Sequence, residues 1–124
     1  VSIVSQRTRV GVRAEVADNK RIMAHVDGRE IVVFEHRGRL YGFENLCPHM
    51  GGPVCEGKLA PRVEAVLDSD GAVIEERFDK NEWRIVCPWH GVEFKIEDGV
   101  CAADPKYRLR RIEANYDGDD IYVS

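Results

Sequence analysis

Four residues of this 124-residue chain stand in a pattern that could do inorganic chemistry. Cys47-Pro48-His49 and Cys87-Pro88-Trp89-His90 each bring one thiolate and one imidazole donor into a short stretch rich in Gly and Pro. Such spacing lets both side chains of a stretch converge on one region, and Gly51, Gly52 and Gly91 let the backbone come close to a bulky inorganic group. Backbone N–H groups exposed in such turns can also donate to the sulfides of a cluster, which raises its reduction potential. Two other readings compete. The cysteines could be core residues and the histidines surface residues, but two Cys/His pairs, each followed by Gly within two residues and each at a strand end, make that coincidence improbable. A structural zinc ion accepts two thiolates and two imidazoles, yet zinc-finger pairs more often group Cys with Cys and His with His, whereas here each stretch supplies one of each.

The elements that must position these donors read as strands. From Thr8 to Phe43, β-branched runs (TRVGVRAEV, RIMAHV, EIVVFEH, LYGF) are broken by Asp27-Gly28 and Arg37-Gly38, residues that tolerate the positive φ of tight hairpins. Periodicity stops over NLCPHMGGPVCEGK, which marks a loop. VEAVLD and AVIEERF flank Ser69-Asp70-Gly71 as a further hairpin, and the separate short run WRIV leads into CPWHG. The tail resumes strand-like spacing in VEFKI, YRLRRIEA and DIYVS, with turns at Asp98-Gly99 and Asp117-Gly118. Many short strands without long helices favour an antiparallel β-sandwich or small barrel, and no linker divides the chain, so residues 1–124 are expected to form one domain.

Composition narrows the partners. With 44% hydrophobic and 32% charged residues the chain is an ordinary globular sequence. A net charge of -4 and a pI near 5.6 offer no basic footprint for nucleic acid or an anionic membrane. No apolar run is long enough to cross a bilayer, and VSIVSQRTRV lacks the order of a secretory signal, so a cytoplasmic protein is expected. Cys55 and Cys101 read as small buried hydrophobes, and His25 and His36 as surface or satisfied histidines.

The run CPHMGGPVCEG resembles the first cluster-binding box of Rieske ferredoxins and Rieske oxygenases, and CPWHGVEFKIEDGVCAADP resembles the second. Gly57, Phe94, Gly99, Pro105 and the terminal strand DIYVS extend the resemblance over nearly the whole chain. It implies an all-β Rieske fold, in which an antiparallel β-sandwich carries a small inserted cluster-binding subdomain made of the two Gly/Pro-rich loops, spanning about residues 45–95 with an extra hairpin over about 62–80. It implies a Rieske-type 2Fe-2S cluster, with Cys47 and Cys87 on one iron and His49 and His90 on the other, both histidines towards an exposed tip. Neutral imidazoles in place of two thiolates place the potential above that of an all-cysteine ferredoxin.

Departures from the family pattern carry information too. High-potential relatives join the two loops by a disulfide whose positions correspond here to Gly52 and Trp89, and they place a serine where this chain has Val92. Without that disulfide and that hydroxyl donor the potential is expected at the low end of the Rieske range, roughly -150 mV. Trp89 is expected to pack over one flank of the loops or simply in the core, and Pro88 to restrict the chain before His90. The resemblance implies an electron carrier rather than a catalyst. An oxygenase α subunit needs a mononuclear iron on two histidines and a carboxylate, and only His25 and His36 remain, both upstream of the first box. The expected role is transfer of one electron from a NAD(P)H-dependent flavoprotein reductase to a terminal oxygenase, by a monomer without nucleic-acid or membrane partners. The alternatives are a small subunit or separated domain of a larger complex of the nitrite-reductase kind, and a zinc-stabilised binding module.

Overall fold

Ile31-Val32-Val33-Phe34 places apolar side chains at four successive positions, so a strand there is apolar on both faces and must be covered on both. The computed structural model describes residues 7–48, 51–88 and 91–124, with Val54 in backbone only, and in it all four of these side chains are buried. The described strands are β1 (Thr8–Val12), β2 (Arg21–Val26), β3 (Arg29–His36), β4 (Arg39–Glu44), β5 (Lys58–Leu67), β6 (Val73–Val86), β7 (Glu93–Lys95), β8 (Arg111–Ile112), β9 (Ala114–Asp117) and β10 (Asp120–Val123). They form three antiparallel sheets in the orders β1-β10-β9, β2-β3-β4-β8 and β5-β6-β7.

Alternation along β3 divides its burial between two cores. Ile31 and Val33 join Val16, Ile22, Val26, Ile112, Ile121 and Val123, which packs the first two sheets together as a sandwich. Val32 and Phe34 point the other way, into a core shared with Phe43, Ile85, Phe94, Leu109 and three cysteines of the inserted part, Cys47, Cys55 and Cys87. The central sheet is thus the common wall between the sandwich and the β5-β6-β7 unit inserted between β4 and β8. The fold is all-β, an antiparallel sandwich with an inserted subdomain.

The hairpins β2-β3 and β3-β4 have the two-residue turns their sequences suggest. Asp27 and Gly28 lie at φ 53° and 76°, and Arg37 and Gly38 at 52° and 80°, the doubly positive pattern whose twist matches antiparallel strands. Three differences from the sequence reading stand out. The first strand stops at Val12, where the Glu15 carboxylate accepts a hydrogen bond from the Val12 N–H at 3.1 Å and a 3-10 segment, Arg13–Asn19, begins. WRIV is the end of β6 rather than a strand of its own, so the inserted hairpin is the far part of one long ribbon. Within YRLRRIEA only Arg111–Ile112 and the start of β9 join a ladder, because the Leu109 N–H donates instead to Gly99 O at 2.8 Å. Among the described residues no helix is long and apolar enough to cross a membrane.

Candidate metal centre

Both cysteine loops begin where a strand ends. β4 stops at Glu44, three residues before Cys47, and β6 stops at Val86, immediately before Cys87. Each loop is then closed in the same way. The Cys47 N–H donates to Gly52 O at 2.8 Å, and the Cys87 N–H donates to Val92 O, also at 2.8 Å. In both, the carbonyl lies five residues beyond the cysteine, and the residue before it is a glycine at positive φ, Gly51 at 76° and Gly91 at 66°. A further bond from Gly51 N–H to Cys47 O at 2.7 Å tightens the first loop. A side chain at either glycine would be strained, because L residues other than Asn and Asp rarely adopt that conformation. Two segments of different sequence therefore present a cysteine on equivalent backbone frames.

Cys47 and Cys87 are 2% and 1% exposed and belong to one buried cluster, and neither is in a disulfide. Two buried cysteines on preformed loops suit a group that takes thiolate ligands and excludes water. His49, His90 and Trp89 lie outside the described residues. Among the described residues no group of three or more potential metal ligands converges, so of the four proposed ligands it is the cysteine pair that can be placed. Gly52, the other position read against the high-potential pattern, lies buried in the first loop and accepts the Cys47 hydrogen bond.

Sequence reasoning missed the residues that brace the first loop. Asn45 receives a hydrogen bond from the Cys55 N–H on its Oδ1 at 2.9 Å, while its Nδ2 donates to Glu30 Oε1 at 2.6 Å and its backbone N–H to Glu30 O at 2.9 Å. Arg21 donates to the Cys55 carbonyl from the other side. The buried Glu44 carboxylate is paired with Arg29 at 2.8 Å. Together these contacts tie the far end of the loop to β2 and β3. The only local signal is a polar Asn between a strand end and a cysteine, since its partners lie ten or more residues away. Asn45→Ala would leave the fully buried Cys55 N–H without its acceptor, and we expect a loss of about 1–3 kcal/mol in urea unfolding.

The other two cysteines are buried as expected, Cys55 completely and Cys101 at 3% exposure. Burial pushes the Cys55 thiol up to about 12, with Arg21 acting in the opposite direction. Native protein should therefore leave Cys55 unmodified by iodoacetamide at mildly alkaline pH, and peptide mapping should find it alkylated only after denaturation. His25 is exposed, 3.6 Å from Glu30. His36 is different, because its Nε2 is buried without a hydrogen-bond partner among the described residues and its ring lies 4.5 Å from that of Trp83. Burial, and then Arg37, lower its pKa from 6.5. The unfolded chain consequently binds the proton first as the pH falls. Stability should decline as the pH drops below 6.5 and level off beneath the folded-state value, and His36→Gln should flatten this slope in urea midpoints measured against pH.

An all-β scaffold that places both Cys loops in one buried cluster defines a small domain suited to a thiolate-bound inorganic group. The family profile of the Rieske [2Fe-2S] domain matches residues 6–113, and the chain belongs to that family. Its cofactor is accordingly a Rieske 2Fe-2S cluster, which supplies one-electron chemistry when bound. A Rieske domain-containing protein of Homo sapiens is 30% identical over 90 residues, which are 73% of this chain and 46% of that protein, so the chain spans less than half the length of this relative. Among solved structures, the ferredoxin of carbazole 1,9a-dioxygenase from Nocardioides aromaticivorans IC177 is 22% identical, with a TM-score of 0.67 over 97% of this chain and 98% of that one. A structure described as the small subunit of an NADH-dependent nitrite reductase from Mycobacterium tuberculosis is 17% identical, with a TM-score of 0.71 over 95% of this chain and 93% of that one. At these identities the structural likeness is one of fold.

Proposed function

We propose that residues 1–124 form a single electron-carrying domain whose cluster is held by Cys47, His49, Cys87 and His90, and that it passes one electron from a NAD(P)H-dependent flavoprotein reductase to a terminal oxygenase in the cytoplasm. The observation that carries this reading is the matched closure of the two loops around buried Cys47 and Cys87. The chain's own part is to fix both thiolates, exclude water from them and hold the loops open towards a partner. Net charge of -4 suits a fast, weak encounter with a basic partner surface.

The test is to purify the protein anaerobically and record visible absorption, low-temperature EPR, iron and sulfide. Oxidised protein should be red-brown with two irons and two sulfides, and reduction should give a rhombic signal of low average g with a potential near roughly -150 mV. NADH with a flavoprotein reductase should then reduce it, and a terminal oxygenase should reoxidise it. A colourless protein holding one zinc would sink the proposal.

A small subunit of a nitrite-reductase-like complex is the second reading. It would need an apolar surface that another chain covers, and one is present. Five of the seven large apolar side chains left exposed among the described residues, Val63, Leu67, Val73, Ile74 and Phe78, lie on the β5-β6 ribbon. A fixed subunit would copurify with its larger partner in constant ratio, whereas a carrier would turn over many partner molecules.

A further inference from the structure

Every polar group of Cys55 is engaged, each by a different residue. Cys55 sits at the centre of the 3-10 turn Val54–Glu56, fully buried, in the same core as Cys47 and Cys87. Its N–H donates to Asn45 Oδ1 at 2.9 Å, its thiol lies 3.9 Å from Glu44 O, and its carbonyl accepts a hydrogen bond from Arg21. The first two partners are neutral groups of the segment that leads into the first loop. The third is a full positive charge, brought in from β2 at the edge of the central sheet. A carbonyl oxygen needs only a donor, which any amide could supply. What a guanidinium adds is charge.

No carboxylate among the described residues pairs with that charge. Arg29 offers the contrast, since its guanidinium is neutralised by the buried Glu44 at 2.8 Å. Arg21 is half-buried, starts β2 opposite Phe34, and holds its guanidinium 5.8 Å from the centre of the Phe34 ring, which belongs to the core of Cys47 and Cys87. Glu35 lines the same groove as Arg21 but accepts the Tyr116 O–H, and Asn19 and Lys58 are the other polar groups there. The field of Arg21 reaches inward. It acts on the Cys55 thiol against Glu56, Cys87 and Glu30, so Cys55 lies within electrostatic reach of both Arg21 and Cys87.

We propose, resting on the cluster reading above, that Arg21 is a positioning residue for electron transfer: it braces the first loop through Cys55 and places an unpaired positive charge where it favours the reduced state. Reduction brings in one electron, from dithionite or a reductase, and breaks no bond, so the site gains one negative charge. A fixed cation stabilises that charge and raises the reduction potential. Its half-buried position, against Phe34 and the Cys55 carbonyl, leaves the interaction less screened by salt than it would be at the open surface. Asn45 holds the same residue by a neutral bond. Loss of Asn45 loosens the loop, whereas loss of Arg21 loosens the loop and also removes a charge.

The experiment is a spectroelectrochemical titration of cluster-loaded protein, with iron content measured on the same samples, across Arg21→Lys, Arg21→Gln and Arg21→Glu. Lysine keeps the charge and a donor, glutamine keeps a donor alone, and glutamate reverses the charge. Three variants at one position keep the comparison available if one of them fails to assemble. Arg21→Lys should stay close to the parent protein. Arg21→Gln should lower the reduced-to-oxidised ratio at a fixed potential by about threefold, a fall of about 28 mV for a one-electron couple, and Arg21→Glu should lower it by about threefold again. Arg39→Gln removes the same charge from an exposed site at the far end of β4, about 17 Å of strand from Glu44, and should leave the midpoint in place. A midpoint unmoved in Arg21→Gln overturns the proposal even where urea unfolding shows lost stability, because Arg21 is then a brace alone. An equal fall in Arg21→Lys overturns it by tracing the effect to hydrogen-bond geometry, and an equal fall in Arg39→Gln by tracing it to net charge. A parent protein without the visible spectrum of the cluster would take the site reading with it, a different result from a midpoint that does not move.

Discussion

Cys87→Ser should abolish the visible absorption and the reduced-state EPR signal and bring iron close to zero. A serine hydroxyl stays protonated at neutral pH where a thiol gives up its proton to iron, so the substitution removes an anionic ligand rather than weakening it. The informative comparison is with the other buried cysteines. Cys55 and Cys101 are as deeply buried as Cys87, yet neither begins a loop closed onto a carbonyl five residues ahead after a glycine at positive φ. Cys101→Ser should therefore cost some stability and keep its colour, while Cys47→Ser should behave as Cys87→Ser does. Iron analysis of the three variants side by side checks this. Loss of the cluster in Cys101→Ser with retention in Cys87→Ser would reverse the ligand assignment.

The second large effect is expected under the site. Phe94 is fully buried on β7, where it pairs with Ile85 across the ladder and bridges to Cys101, and it shares a core with Cys47 and Cys87. Phe94→Ala leaves a cavity directly among the residues that support both loops, at a cost of about 3–5 kcal/mol. Against the roughly 5–15 kcal/mol that hold a domain of this kind together, that is a large share. The melting temperature should fall by roughly 10–20 °C. Differential scanning calorimetry of the cluster-loaded variant checks this, and a shift of only a degree or two would mean that the cluster, rather than the apolar packing, holds the subdomain.

Much of this was legible from sequence because it was local. The four successive apolar residues of β3 announced a strand covered on both sides, and Asp27-Gly28 and Arg37-Gly38 announced tight hairpins. The cysteines announced themselves by spacing. The continuity of β6 was hidden, because Asp79, Lys80 and Asn81 look like a break, and the ladder does shift there: Lys80, Asn81 and Glu82 bulge between Asp79, which pairs with Arg62, and Trp83, which pairs with Pro61. The bracing by Asn45 and Arg21 was hidden for another reason. Those bonds join side chains to a backbone 10 and 34 residues away, and no local pattern encodes them. The exposure of the ribbon's apolar face could not be read either, since alternation predicts an apolar face without saying whether the chain has anything left to cover it.

The ribbon also bears on how the chain finds its fold. β5 starts directly after Gly57, at the end of the first loop, and β6 runs into Cys87 at the start of the second. A hairpin forms from its turn in roughly 1–10 μs, adding strand pairs that are close in sequence before distant ones. Zipping from the Asp68–Ala72 turn towards the root would deliver the two loops side by side, so the entropy of closing the long chain segment between the two cysteines is met in small steps, one strand pair at a time. The ribbon's root supports the buried cysteines through Ile85, Leu59 and Trp83, and its far part can thus bear on how the site is assembled.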